Sequence, residues 1–132
     1  MNENFVTAEK AKHVVLEWGE QDWYCQPDLT GAQELVVVEV VLFPGFGHSF
    51  HKHPRQEEVI FVLDGQVEQW VGQEKQRLQA GDSAFIGADV VHATFNDSSE
   101  NVKVLAILGP SVGEEGYEVV EVFDQEPWNG LR

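Results

Sequence analysis

The chain has 132 residues and a formal net charge of −15, from 23 acidic and 8 basic side chains. Such a surface repels phosphate backbones and anionic headgroups, so nucleic acid and membrane surfaces are excluded as expected partners. Residues 1–132 are predicted to form a single domain without an internal disulfide, because the length suffices for a core and there is 1 cysteine.

The N-terminal segment, residues 1–12, lacks the apolar stretch of a signal peptide. No apolar run reaches the roughly 20 residues of a membrane-spanning helix. A cytoplasmic protein is therefore expected. Cys25 is expected to be a plain buried thiol, because no histidine lies at a spacing that would activate it.

Short runs rich in Val, Ile and Phe, separated by turn residues such as Asp64-Gly65, predict an all-β fold. Their spacing of roughly 8–12 residues is typical of a sandwich or barrel. Residues 8–12 could form one short helical turn. The predicted strands are Val14–Glu17, Leu35–Phe43, Ser49–Lys52, Glu58–Leu63, Val67–Val71, Ser83–Ile86, Val91–Asn96, Val102–Leu108 and Val119–Phe123.

Two predicted strands, Glu58–Leu63 and Val102–Leu108, do not alternate cleanly between apolar and polar residues. An antiparallel sheet with one solvated face should alternate. These strands are therefore predicted to be covered on both faces, which a small barrel achieves by pairing with a second copy. We expect a homodimer.

The acidic residues are partly concentrated near the C-terminus, at Glu114, Glu115, Glu118, Glu121, Asp124 and Glu126. A solvated face is the ordinary interpretation of such a run, and docking of a basic partner is the alternative. This segment is expected to pack outside the barrel or at a dimer seam.

Three histidines and a glutamate form the main candidate site. His51 and His53 are two apart, so in a strand they share a face, while Glu58 opens the next strand and His92 lies on a later one. Imidazole and carboxylate together bind divalent transition metals. Metal affinity should fall below the ordinary histidine pKa of about 6.5.

Each part of this set has a simpler explanation when taken alone. A single His-x-His most often lies on the protein surface and binds nothing, and His92 could be a core histidine whose hydrogen bonds are satisfied within the protein. Glu57 is out of phase with the apolar residues of its strand, whereas Glu58 is in phase, so Glu58 is the predicted ligand. His48 is three residues from His51 and is expected on the rim or the outer face.

Glycines at regular distances frame these residues. The first stretch runs Gly45, five residues, His51-Lys-His53, four residues, Glu58, six residues, Gly65, and the second runs from Gly81 to His92 and Asn96. Both resemble the two motifs of the cupin superfamily. The first matches in full. In the second, Gly87-Ala-Asp89 replaces the usual Pro-x-Gly, a departure in a turn that leaves the ligand untouched.

The resemblance implies a double-stranded β-helix, or jelly-roll (cupin) barrel, with a core at about residues 34–110 and one divalent metal per chain. It implies His51, His53, Glu58 and His92 as ligands, and its spacing also selects Glu58 over Glu57. Four side chains that share a strand face with a ligand are expected to line a substrate pocket: Ser49, Ile60, Val62 and Thr94.

Four protein ligands leave open positions on a metal that prefers five or six. That favours iron, manganese, nickel or copper. Zinc also fits, but four protein ligands nearly complete the tetrahedral coordination that it prefers. A small metal-dependent oxygenase acting on a small oxygen-rich molecule is the first hypothesis, with Glu58 as the group that could also take a proton. A non-catalytic binding or storage module and a sugar or keto-acid isomerase are the alternatives.

Basic residues near the motifs do not favour a sugar phosphate as substrate. Lys52 is out of phase with the ligands, and Arg55, Lys75 and Arg77 fall in predicted turns, whereas a phosphate needs a cation in the pocket. Trp18, Trp23, Tyr24 and Trp70 could stack on a ring, although core packing or a dimer seam is the simpler role.

Overall fold

The structure is a computed structural model that describes residues 3–132. Eleven strands alternate with short turns, and the helical elements are α1 (Pro27–Thr30) and a 3-10 turn at Trp128–Gly130. The strands are β1 (Lys12–Leu16), β2 (Gly19–Cys25), β3 (Val36–Leu42), β4 (Gly47–Lys52), β5 (Glu57–Asp64), β6 (Gln66–Val71), β7 (Glu74–Gln79), β8 (Ser83–Ile86), β9 (His92–Phe95), β10 (Val102–Gly109) and β11 (Val120–Glu121).

The strands form two antiparallel sheets. One has the order β1-β2-β3-β10-β5-β8 and the other the order β11-β4-β9-β6-β7. Because successive strands cross between the sheets, β5 and β10 neighbour each other in one layer while β4 and β9 neighbour each other in the other. The predicted all-β double-stranded β-helix is confirmed. Among residues 3–132, no helix is long and apolar enough to cross a membrane.

Two strands and a helix were not predicted from the sequence. β2 and β7 are mostly polar, and β7 buries only Leu78 among its six residues. Both are held by pairing with a strand that the sequence did predict, β2 with β3 and β7 with β6. The predicted strand at residues 119–123 is shorter, because pairing with β4 extends over Val120 and Glu121 alone.

Cys25 is partly exposed rather than buried, and its Sγ lies 3.6 Å from the Thr30 hydroxyl.

The main core lies between the sheets. β3 alternates strictly, with Val36, Val38, Val40 and Leu42 turned inward against residues of β5 and β10. A second cluster around Phe50 and Trp70 packs on the other face of the five-stranded sheet, under the C-terminal residues. Trp23 and Trp70 are core residues, as the simpler interpretation of the tryptophans predicts.

The outer face of the six-stranded sheet is apolar although it faces solvent in the single chain. The registers place Val37, Ile107, Val59 and Phe85 in one row across β3, β10, β5 and β8. Phe85 is 61% exposed at the end of this row, and Phe61 on β5 is 37% exposed. β5 and β10 therefore alternate in burial even though their sequences are nearly all apolar.

Asn96 joins two loops and provides a test of the fold. Its buried amide donates to the carbonyls of Leu42 and Glu100, and its Oδ1 accepts from the backbone and hydroxyl of Ser98.

We expect Asn96→Ala to lower the free energy of unfolding by about 2–3 kcal/mol, because buried backbone groups lose their partners. Urea denaturation measures this. Asn101→Ala, at an exposed neighbouring position, should change stability little, and an equal loss in both variants would contradict the assignment.

Candidate metal centre

The candidate ligands come from both sheets and meet between them. His51 on β4 lies in register opposite His92 on β9, with the ring centroids 4.2 Å apart. His53 directly follows the end of β4, and Glu58 lies near the start of β5 in the other sheet. All four side chains are buried, at 1–5% exposure. Their ligand atoms lie within 4.8 Å of one another, so the structure brings together the set expected from the sequence.

Each histidine ring is held through its Nδ1 by a backbone carbonyl. His51 Nδ1 is 2.6 Å from the Ser49 oxygen, His53 Nδ1 is 2.7 Å from the Glu118 oxygen, and His92 Nδ1 is 3.0 Å from the Val90 oxygen. A carbonyl can only accept, so Nδ1 carries the proton in each ring. In the neutral form each Nε2 then offers a lone pair, which is the arrangement of a metal-binding histidine with its outer partner.

Glu58 meets the inward nitrogens of two of these rings. Its Oε1 is 2.8 Å from His92 Nε2 and 3.2 Å from His53 Nε2. None of these three buried atoms has a partner in hydrogen-bonding geometry among residues 3–132. Unpaired buried polar atoms are costly, and a divalent cation bound by all of them removes that cost. The residues therefore fit a metal ion.

The pKa values of the cluster follow from burial and from Glu58. Burial, followed by the neighbouring histidines, lowers the pKa of His51 well below its ordinary value. Burial also opposes the charge on Glu58, but His53 and His92 outweigh it and lower the Glu58 pKa to about 2. For His53, burial is outweighed by Glu58 and by the Glu118 carbonyl, and the pKa is raised. The carboxylate is thus ionised, and His53 is the ring that competes for a proton.

A segment after β10 completes the surroundings of His53. The buried side chain of Gln56 donates to the carbonyls of Pro110 and Gly116 and accepts from the Glu118 backbone N–H. The same Glu118 provides the carbonyl that holds His53. Tyr117, between them, packs its ring 5.0 Å from the His53 ring. Part of the acidic C-terminal segment therefore covers the site within its own chain.

A cavity opens beside the cluster, between the two sheets. Its walls include the candidate ligands His51, Glu58 and His92, together with side chains of β2, β3, β5 and β10. Trp18, Tyr117 and Gln21 also line it; the sequence analysis named Trp18 as a residue that could stack on a ring, and it missed Gln21 and Tyr117. Burial, with smaller contributions from Glu58 and Glu121, raises the pKa of the Tyr117 phenol, so this group is a hydroxyl donor rather than an anion.

His48 lies beside the cluster and lines the cavity, so of the two expected places, the rim and the outer face, its position agrees with the rim. The pairing of β4 with β9 shifts between His48 and His51, so one extra residue on β4 forms a bulge. The two rings consequently stack, with centroids 3.5 Å apart and planes at 5°. His48 Nε2 is 2.8 Å from a Glu121 carboxylate oxygen, and Trp18 stacks on the other side of the ring. The sequence carries no clear signal for this bulge.

The bulge also affects the expected pocket residues. Ile60 and Thr94 line the cavity. Ser49 borders a depression on the other face of the five-stranded sheet, beside Phe50 and Trp128, and is not among the residues that line the cavity. Val62 is fully buried in the core and is not among the cavity-lining residues. Glu57 is exposed, as the phase of β5 predicts.

Comparison with known families gives a match over more than half of the chain. The family model described as "Cupin domain" matches residues 38–108, which run from β3 to β10 and contain the four candidate ligands. An uncharacterized protein from Methanocaldococcus jannaschii is 24% identical over 95 residues, which cover 72% of this chain and 76% of that protein.

Solved structures share the fold at low sequence identity. KdgF from Halomonas sp. superimposes with a TM-score of 0.73 and 18% identity, over 85% of this chain and 97% of that one. Oxalate decarboxylase from Bacillus subtilis gives a TM-score of 0.73 and 18% identity, over 87% of this chain. The match spans only 30% of the decarboxylase chain. At these identities the likeness concerns the fold alone.

Metal affinity should depend on pH through His53. Its pKa is raised above the ordinary 6.5, so the proton that a metal must displace is present at higher pH than for an unperturbed histidine. We expect the apparent association constant to fall about tenfold per pH unit below that pKa, with one proton released per metal bound. Calorimetry in buffers of different ionisation enthalpy counts the proton. An affinity that does not change between pH 6 and pH 8 would contradict this expectation.

Proposed function

Because this chain belongs to the cupin domain family, we propose that it is a metal-dependent enzyme that holds one divalent transition metal and oxidises a small oxygen-bearing molecule with dioxygen. The ligands are His51, His53, Glu58 and His92. The observation that carries the proposal is the buried convergence of Nε2 of His53, Nε2 of His92 and Oε1 of Glu58, all without hydrogen-bond partners. A small cavity of about 40 Å³ lies beside them, between the two sheets.

The donor set favours iron or manganese, with nickel and copper as further candidates. Three imidazole nitrogens and one carboxylate oxygen suit these ions and leave two positions of an octahedron open. Zinc binds the same donors but is nearly complete with four. When bound, such an ion acts as a Lewis acid toward an oxygen of the substrate and, where it is redox-active, activates dioxygen.

The protein's own residues orient the donors and limit the access of water. Backbone carbonyls hold the three imidazoles by their Nδ1 atoms, so the lone pairs already point inward before a metal arrives. Gln56 ties the segment that carries Tyr117 over the site. Preorganisation of this kind lowers the cost of binding and of reaction.

Glu58 has two candidate roles, as a ligand and as a proton acceptor. Its pKa of about 2 keeps it ionised and makes it a weak base near neutral pH. A carboxylate of this kind is better suited to holding a cation than to taking a proton. We therefore propose Glu58 first as a ligand, with proton transfer as a secondary role.

Anaerobic purification followed by elemental analysis tests the proposal. About one metal per chain is expected, and His51→Ala should lose most of it because one of four donors is missing. His13→Ala is the matched control, since His13 is exposed on β1 and lies outside the cluster. The loaded protein should then consume dioxygen with an enediol, a flavonoid or a diketone.

The outcomes separate the alternatives. Absence of stoichiometric metal would overturn the proposal. Metal without dioxygen consumption on any of the three substrates would favour the non-catalytic binding module, and isomerisation of a sugar or keto acid without dioxygen would favour the isomerase.

We also propose that the chain forms a homodimer through the outer face of the six-stranded sheet. The row of Val37, Ile107, Val59 and Phe85 runs across four strands of that face, with exposed Phe61 beside it. A contiguous apolar surface of this kind is unusual on a monomer. A second copy that offers the same row would bury it, in the isologous manner of a twofold dimer.

Sedimentation tests the dimer at micromolar concentration. The parent protein should sediment as a dimer, and Phe85→Glu should sediment as a monomer because it places a charge in the apolar row. Phe123→Glu is the control, since that side chain is 50% exposed near the other sheet and outside the row. A monomeric parent protein would rule the proposal out.

A further inference from the structure

A cation that reaches the candidate ligands must pass a lining that is mostly apolar. The four ligands are buried, at 1–5% exposure. Inward side chains of β3, β5 and β10, such as Val38, Ile60 and Val104, make up much of the cavity wall beside them. Apolar walls cannot replace the water that a divalent cation loses on entry, and an uncompensated buried charge is costly. Polar groups on the way in would therefore speed the entry.

His48 and Glu121 form a polar pair at the solvent edge of this cavity. His48 lines the cavity together with His51, and pairing of β11 with β4 places Glu121 opposite His51. The side chain of His48 is 20% exposed and that of Glu121 is 44% exposed. His48 Nε2 lies 2.8 Å from Glu121 Oε1. Imidazole and carboxylate are also the donor types of the buried set, and at this pair solvent reaches them.

His51 belongs to two clusters of possible metal ligands. The ligand atoms of His48, His51 and Glu121 lie within 4.8 Å of one another. The same limit holds for the ligand atoms of the buried set, which also contains His51. A cation held by the exposed pair therefore has a nitrogen of the buried set within a short distance, and His51 is the residue at which a transfer can occur.

The arrangement of the two rings favours transfer over storage. The rings of His48 and His51 stack with centroids 3.5 Å apart and planes at 5°. A metal ion lies close to the plane of an imidazole that binds it, and one ion cannot lie in two separate parallel planes. The two rings must therefore bind a cation one after the other. The exposed pair then offers two protein donors, against four in the buried set, so the buried set retains the ion.

The charge of the protein also favours the arrival of cations. The chain has a net charge of −15, and Glu121 belongs to the acidic run near the C-terminus. None of the 8 basic side chains, which all lie within residues 3–132, lines the cavity. A negative field of this kind raises the local concentration of cations and speeds their association. The field brings cations to the surface, and the exposed pair supplies donors there.

We propose that His48 and Glu121 form an entry site, which captures a hydrated divalent cation at the rim of the cavity and passes it by way of His51 to the buried ligands. The proposal rests on the metal-dependent function proposed above and adds two residues that are not among the predicted ligands. Both act in transit. They should therefore set how fast the metal enters and leaves, and not how tightly it is held.

Stopped-flow mixing of metal-free protein with Co(II) tests the entry site. Co(II) quenches tryptophan fluorescence, and Trp18 and Trp23 line the cavity. The limiting rate at high EDTA concentration gives the dissociation rate constant. Glu121→Gln removes the charge, while its amide oxygen can still accept a hydrogen bond from His48 Nε2. We expect the association and dissociation rate constants both to fall at least about fivefold, with the Kd changed by less than about twofold.

A second variant and a matched control separate the entry site from general charge. His48→Phe keeps a ring between Trp18 and His51 but removes the donor, and both rate constants should fall together again. The double variant should be no slower than the slower single variant, because both changes affect one step. Glu126→Gln removes the same charge at an exposed position of the same segment and should slow association less than about twofold. The difference from Glu121→Gln should persist at about 1 M KCl, where the screening length is about 3 Å.

The outcomes distinguish this proposal from the function on which it rests. Unchanged rates in Glu121→Gln and His48→Phe, or equal slowing in Glu126→Gln, overturn the entry site while the metal centre stands. A higher Kd with an unchanged association rate also overturns it, because the residue is then a permanent ligand or a structural support. If the parent protein binds no Co(II), the metal-dependent function fails and the entry site fails with it. Near-UV circular dichroism confirms that each variant is folded.

Discussion

The structure depends on one buried carboxylate that connects two sheets. Glu58 reaches from the six-stranded sheet toward His51 and His92, which belong to the five-stranded sheet, and toward His53 at the end of β4. A fully buried anion is costly unless cations or strong donors surround it. Burial opposes the charge on Glu58, but His53 and His92 outweigh it and lower the pKa of this carboxyl to about 2. The layers of the fold are therefore joined at the point where the candidate chemistry is located.

The segment after β10 is part of this site rather than an appendage. It supplies the carbonyl that holds His53, it carries Tyr117 into the cavity wall, and it is tied to the barrel by Gln56. The Gln56 side chain uses both its donor and its acceptor groups on this segment. The backbone of this segment therefore matters more to the site than the charges of its acidic residues.

The candidate ligands could be predicted because their positions follow local rules. His51 and Glu58 occupy phases of regular strand that point inward, and the glycine spacing selected Glu58 over its exposed neighbour Glu57. Simple alternation does not hold where a strand is irregular. A bulge in β4 turned His48 toward His51 and moved Ser49 to the other face of the sheet, because one extra residue reverses the alternation of side chains.

By itself, the sequence determined the all-β class, the four candidate ligands and the scarcity of cations near them, because these depend on residue type, period and spacing. Only the tertiary structure decided what surrounds the ligands. Trp18, Gln21 and Tyr117 come from segments far from the motifs, and their place in the cavity depends on β2 joining β3 and on the C-terminal segment returning past Gln56. Contacts between distant segments leave no local pattern, since they arise from how the two sheets pack.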